Sequence, residues 1–206
     1  MCAKKQTVLE DEGDGMTTKI AFYSPCEKCG TTTHMFLFAW MFARNNKKQS
    51  VVVEQGEQYR ILRKGTTQDR IVLSDCGSGK TRRARHHLQT ADILVVTLPY
   101  EPAELSNYFL YRKPEVRPVF FLIGNCRERR EDVTLFMEHR YRILEEDIGC
   151  ILYNNEISLA IKHRRLLQFL STYETVGVTE LNRDFFEEVE RSFFLFWKKI
   201  ETRIKR

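Results

Sequence analysis

The sequence predicts an α/β fold, a mostly parallel sheet with helices on both faces. Three observations carry this reading. Short, continuous apolar runs rich in β-branched residues recur at 51–53, 93–98 and 116–123, as strands buried on both faces require. Segments of helical apolar spacing alternate with them, which indicates βαβ units. The length of 206 residues, with 42% hydrophobic and 30% charged, suits one compact domain and excludes collagen-like, mucin-like and wholly disordered chains.

The elements follow in order. After a polar leader, residues 1–17, the run KIAFY (19–23) is the first strand, and the turn-like SPCEKCG follows it. Residues 31–45 form a helix that is apolar on most faces (Met35, Phe36, Leu37, Phe38, Trp40, Met41, Phe42), as expected of one lying against a sheet. Strands are predicted at 51–53, 59–62 and 70–73, the last stopping at Asp75. A basic helix over 81–89 leads into ILVVTL (93–98), and Pro99 and Pro102 break the chain. Helix 103–112, strand 116–123, helix 129–144, strand 149–152 and helix 156–172 complete the series. A last helix runs from about residue 179. The predicted organisation is a leader over 1–17, an α/β domain over 18–176 and an amphipathic helix over 177–206.

Composition narrows the function classes. Six cysteines are too few for a disulfide scaffold, and the first fifteen residues hold no apolar run of signal-peptide type, so a cytoplasmic protein with reduced thiols is expected. The longest apolar stretch, 35–43, is far short of the roughly 20 residues that span a bilayer. The net charge of +5 favours an anionic partner without choosing among nucleotide, nucleic acid and lipid surface.

In a parallel sheet, function sits at the carboxyl ends of the strands, and here those ends carry motifs. Residues 20–33 (IAFYSPCEKCGTTT) run strand, tight loop, Gly-Thr-Thr, helix. That is the layout of a phosphate-binding loop, in which backbone N–H groups and a helix N-terminus face the phosphates. The segment resembles the loop of the MinD/ParA family of deviant P-loop ATPases, approximately KGGxGKTT. Laid on that pattern, Cys26 stands for the signature lysine, Glu27 and Lys28 for two glycines, and Thr31 for the loop lysine; Gly30 is retained, and Thr32 and Thr33 take the hydroxyl positions. VVVEQG (51–56) resembles the family's second strand, with Glu54 at its first acid. IVLSDCGSG (71–79) resembles its Walker B and switch II segment, with Asp75 near magnesium and Gly77 and Gly79 in the switch. FFLIGN (120–125) resembles the strand whose final residue, here Asn125, contacts adenine.

The resemblance covers most of the chain and implies a P-loop NTPase-like three-layer sandwich. It implies ATP or ADP with magnesium as cofactor, at Lys28, Gly30, Thr31, Thr32, Thr33, Asp75 and Asn125. It also implies a homodimer and a protein partner within a localisation, secretion or partition machinery. The departures concern chemistry. Without either loop lysine the phosphate site loses its main point charge, and Glu27 repels a triphosphate. The expected protein is a degenerate member with weak or no hydrolysis, a positioning or scaffold factor of the kind that TadZ-like pilus-localisation proteins exemplify. The alternative is an active ATPase or kinase that uses Lys28 or Lys80. The segment GSGKT (77–81) looks more like a P-loop than the first loop does, but the full pattern requires glycine where Ser74 stands.

Three further features remain. Cys26 and Cys29 form C-x-x-C with no second pair; a thiol-ligated metal protein would require Cys76, and Cys126 as well, to meet them across the strand ends. The alternative is small residues filling a tight loop. In the last helix, Phe185, Phe186, Val189, Phe193, Phe196, Trp197 and Ile200 form one apolar stripe. With Lys198 and Lys199, Phe193, Phe196 and Trp197 have the composition of a helix in an anionic membrane interface or a partner contact; the plainer reading packs the helix on the sheet. The run KTRRARHH (80–87) suits DNA phosphates or a solvated helix face, and no groove-reading motif accompanies it.

Overall fold

Seven strands lie side by side in a computed structural model that describes residues 15–27, 29–56, 58–111, 117–177 and 179–204. They are β1 (Thr17–Tyr23), β2 (Ser50–Gln55), β3 (Gln58–Arg63), β4 (Arg70–Asp75), β5 (Ile93–Pro99), β6 (Val119–Cys126) and β7 (Ile148–Leu152). Their order is β3-β2-β4-β1-β5-β6-β7. Every pairing is parallel except that of β2 with β3. The exception is a hairpin, turned at Gly56 in the left-handed region (φ 57°), where glycine meets no Cβ penalty. β3 forms an edge with Tyr59 and Ile61 exposed, and Arg60 and Arg63 beside them oppose pairing with another copy of the same strand.

The helices are α1 (Thr31–Asn45), α2 (Arg82–Thr90), α3 (Pro102–Tyr111), α4 (Arg130–Tyr141), α5 (Asn155–Lys162), α6 (Leu166–Val176) and α7 (Glu180–Ile204). Alternation along the strands divides the core between two faces. Ile20, Phe22, Ile71 and Leu73 pack with α1, α5, α6 and α7, whereas Ala21, Leu94, Val96 and Phe121 pack with α2, α3 and α4. The three-layer α/β sandwich is as predicted.

Phe38 of α1 is the centre of the first layer. Its ring lies 5.8 Å from Phe22 of β1, 5.8 Å from Phe193 and 5.4 Å from Phe196, both of α7. The C-terminal stripe is therefore core rather than a membrane or partner surface. Phe193 and Phe196 are buried, Trp197 packs 5.6 Å from Phe42, and Lys199 pairs with Asp147; Lys198 alone of the five is exposed. The reason is complementarity: the aromatic face of α1 buries the stripe. Among the described residues no helix is long and apolar enough to cross a membrane.

α7 also closes the β7 edge. Ser192 Oγ accepts from the Cys150 N–H and donates to the Cys150 carbonyl, both at 2.9 Å. Gly149 allows that approach, because a Cβ there would stand 2.9 Å from the Ser192 side chain.

Three boundaries differ from the sequence reading. The predicted helix 156–172 is two helices, broken where Arg164 turns left-handed (φ 57°) and Arg165 N–H bonds back to the Ala160 carbonyl at 2.7 Å. β6 begins after Pro118, which has no N–H for the ladder and contributes only its carbonyl, to Leu94. α4 ends at Tyr141 because Arg142 is left-handed (φ 58°).

Phe196→Ala is expected to destabilise the protein by about 3–5 kcal/mol and Phe194→Ala, at an exposed position, by less than about 0.5 kcal/mol. Urea denaturation of the two variants checks this, and equal effects would be incompatible with an inward stripe.

Candidate functional site

α1 leaves β1 on one face of the sheet and α2 leaves β4 on the other, so their connections part between the carboxyl ends of these two strands. This is where parallel sheets form binding crevices. The β1–α1 loop is held there by its own backbone. Ser24 is buried, its N–H donates to the Gly77 carbonyl at 2.8 Å, and its hydroxyl brackets Cys26, accepting from the N–H and donating to the carbonyl.

Gly30, at φ 78°, is the N-cap of α1 and offers no side chain to the helix start. The first turn also lacks an acid, so the partial positive charge of the N-terminus is uncompensated by any side chain of that turn. Thr31 is buried in the first turn. Thr32 Oγ1 donates to Asp75 Oδ2 at 2.5 Å, and Asp75 Oδ1 accepts from the Gly77 N–H at 3.0 Å. Two hard oxygen ligands thus stand together beside the helix terminus, a donor set that fits magnesium.

Thr33 opens onto a cavity of about 250 Å³ with Gly30, His34, Asn125, Asn154 and Ser158. Asn125 is exposed at the end of β6 in the left-handed region (φ 53°). Gly30, Thr33 and Asn125 thus line one cavity, and Thr32 contacts Asp75 next to it in the first turn of α1. Lys28 lies outside the described residues.

His34 is a site residue that sequence reasoning missed, since its only signal was its place one residue after Thr33. Its ring is wedged between two glycines: a Cβ at Gly124 would stand 2.3 Å from the ring, and one at Gly30 would stand 3.4 Å away. Among the described residues Nδ1 has no hydrogen-bond partner. Burial pushes the imidazole down to about 4, so it is neutral at pH 7.

A second cavity, of about 470 Å³, lies on the α2 side and is lined by Glu54, Asp75, Lys80, Arg83 and His87 among others. Glu54, which the sequence reading set at the first acid of the second strand, lines this cavity with Asp75 but faces α2. The register pairs Glu54 with Ser74 and Gln55 with Asp75, and alternation turns Glu54 to the α2 face. There it accepts from Ser74 Oγ at 2.7 Å and lies 3.3 Å from His87 Nδ1. Arg83 Nε donates to His87 Nε2 at 3.2 Å, which requires a neutral imidazole with its proton on Nδ1. Burial holds His87 below the usual imidazole range despite the Glu54 charge. Gly77 and Gly79 are both left-handed (φ 48° and 72°), and Lys80 Nζ reaches across to Glu27 Oε1 at 3.4 Å, with both groups well exposed.

The thiols do not converge. Cys26 Sγ donates to Glu104 Oε2 at 3.2 Å, whereas Cys76 is buried on the α2 face against the Ser74 carbonyl and Cys126 meets the Glu128 carbonyl. Among the described residues no group of three or more His, Cys, Asp or Glu is placed to hold a metal ion. The expected site at Cys26, Cys29 and Cys76 is overturned, because alternation sends Cys76 into the opposite core.

No protein-family model and no curated protein matches the chain by sequence. Solved structures do match by fold. One is a Borrelia burgdorferi B31 protein assigned to plasmid partition and bound to AMPPNP: TM-score 0.57, 14% identity, covering 90% of this chain and 100% of that one. Another structure of a plasmid partition protein from Borrelia burgdorferi matches at TM-score 0.51 and 14% identity, with the same coverage. The chain shares the fold of these plasmid partition proteins.

The folded protein refuses at His34 a proton that the unfolded chain takes up below about pH 6.5. Stability from this residue is full above pH 6.5 and is lost as pH falls toward about 4, an expected cost of about 3 kcal/mol. The check is urea unfolding at pH 7 and pH 4.5, compared with His34→Leu, whose stability should change less over the same window.

Proposed function

We propose that the protein is a ParA-like P-loop protein with a weakened nucleotide site, acting through its bound state and its partners rather than through turnover. The observation that carries this reading is the contact of Thr32 Oγ1 with Asp75 Oδ2 beside an uncapped helix N-terminus. A protein of the same fold binds AMPPNP, which supports the same ligand class here. The N–H groups of Thr31, Thr32 and Thr33 face the phosphates, and Asn125 stands on the side of the base. Magnesium, when bound at Thr32 and Asp75, neutralises phosphate charge.

The weakness follows from charge. A loop lysine about 4 Å from a phosphate contributes roughly 4 kcal/mol at an effective dielectric near 20, about three decades of affinity, and Thr31 supplies none of it. Lys80, held near the loop by Glu27, is the described cation positioned to recover part, and this contact favours the second reading, in which Lys80 supports turnover. The bound form is a homodimer that engages a protein of a localisation or partition machinery.

Calorimetric titration with magnesium and a non-hydrolysable ATP analogue is expected to give a Kd of about 0.1–1 mM. Thr32→Ala and Asp75→Ala should each weaken binding at least tenfold, and phosphate release from ATP should stay near background. A low-micromolar Kd would contradict the weakened site. Phosphate release that Lys80→Ala abolishes would establish the second reading, and sedimentation with and without the analogue tests the dimer.

A further inference from the structure

Charge is unevenly supplied along the crevice. Asn125 lies toward one end, beside Gly30 and Thr33, and the contact of Thr32 with Asp75 lies toward the other. On the Asp75 side, Glu27 Oε1 of the β1–α1 loop meets Lys80 Nζ of the β4–α2 loop at 3.4 Å, with both side chains about three-quarters exposed. Asp75 and Gly77 also line the α2-side cavity, together with Glu54, Lys80 and Arg83. Arg83 is already engaged, since it donates to His87 and lies over the Tyr59 ring at 5.3 Å. Of the described cations lining that side, Lys80 is therefore the one placed to meet a ligand, and its present partner is Glu27.

Glu27 does not sit on a loose loop. The thiol of its neighbour Cys26 donates to Glu104 Oε2, in the first turn of α3, at 3.2 Å. Ser24 Oγ accepts from the Cys26 N–H, and the Ser24 N–H donates to the Gly77 carbonyl. The loop is thus tied to α3 on one flank and to the β4–α2 loop on the other, which keeps the Glu27 carboxylate on the Asp75 side.

We propose that Glu27 is a specificity determinant that sets the site for a nucleoside diphosphate against a triphosphate. The proposal rests on the nucleotide reading, in which the base lies toward Asn125 and the phosphates run past the start of α1 toward Asp75. A diphosphate ends at Thr32 and Asp75 and leaves the Glu27–Lys80 pair intact. A third phosphoryl group extends to that pair and brings one further negative charge, with or without magnesium. Lys80 then neutralises either the phosphoryl group or Glu27, and the two anions face each other across a single cation. Because the pair is exposed, solvent and salt screen the repulsion, so the preference is graded rather than absolute.

Calorimetric titration of the full chain with magnesium and either ADP or a non-hydrolysable ATP analogue, at about 20 mM salt, is the test. The Kd for ADP is expected to be about fivefold lower than that for the analogue, and about 0.5 M salt should bring the ratio toward one. Glu27→Gln should remove the preference by tightening binding of the analogue, and Glu27→Lys should reverse it; the position is exposed, so neither substitution disturbs the core. Equal affinities in the unaltered protein, or a preference that survives Glu27→Gln, would overturn the proposal and leave the nucleotide reading standing. Binding of neither nucleotide at about 10 mM would overturn the nucleotide reading and this proposal with it.

Discussion

The packing of Phe38 fixes the rest of the molecule. One ring touches β1 through Phe22, β6 through Phe120, and α7 through Phe193 and Phe196, so α1 can neither slide along the sheet nor roll on it. A ring buried in this way contributes several kcal/mol, and its edge-to-face neighbours add to that. Because Phe38 lies about two turns from Gly30, the helix start is held at the carboxyl ends of β1 and β4, and Thr32 meets Asp75 without a long loop to position it. α7 is thus part of the site's scaffold, and its Phe185 lines the cavity beside Gly30 and Thr33.

β4 divides the site by alternation. Asp75 turns to α1 and forms the oxygen pair with Thr32, whereas Ser74 turns to α2 and joins Glu54 and His87. The backbone of β4 joins the two networks, and Asp75 also lines the cavity on the α2 side. On the α2 side charge is already balanced, since Glu54 accepts from Ser74 and His87, and His87 accepts from Arg83. On the α1 side the helix terminus has no counter-charge of its own. An anion is accommodated there at the cost of facing Glu27, which the exposed Lys80 offsets only weakly.

Much of this architecture was legible in the sequence. Continuous β-branched runs such as ILVVTL mark strands because both faces of the sheet are covered, and the spacing of Phe38, Met41 and Phe42 marks a helix on that sheet. The left-handed turn at Gly30 and the nearness of Thr32 to Asp75 were legible, because a tight strand-to-helix loop favours glycine and the strand ends converge there. The face of Glu54 was not, since it depends on the register of β2 against β4, which local sequence does not encode. His34 was illegible for a related reason: its burial is made by Gly124, ninety residues away in the chain. The stripe of α7 was visible but not its partner, because an apolar stripe has the same spacing whether it meets a lipid or Phe42. The break at Arg164 carries neither glycine nor proline and left no signal.

We propose that phosphate binds at the β1–α1 loop rather than at the loop over 77–81. Amide chemical shifts during titration with magnesium and a non-hydrolysable ATP analogue test this most directly. Saturable shifts at Gly30, Thr31, Thr32 and Thr33, with a response at Asp75 and Asn125, are the predicted result. Shifts confined to residues 77–83, or none at about 10 mM ligand, would contradict it.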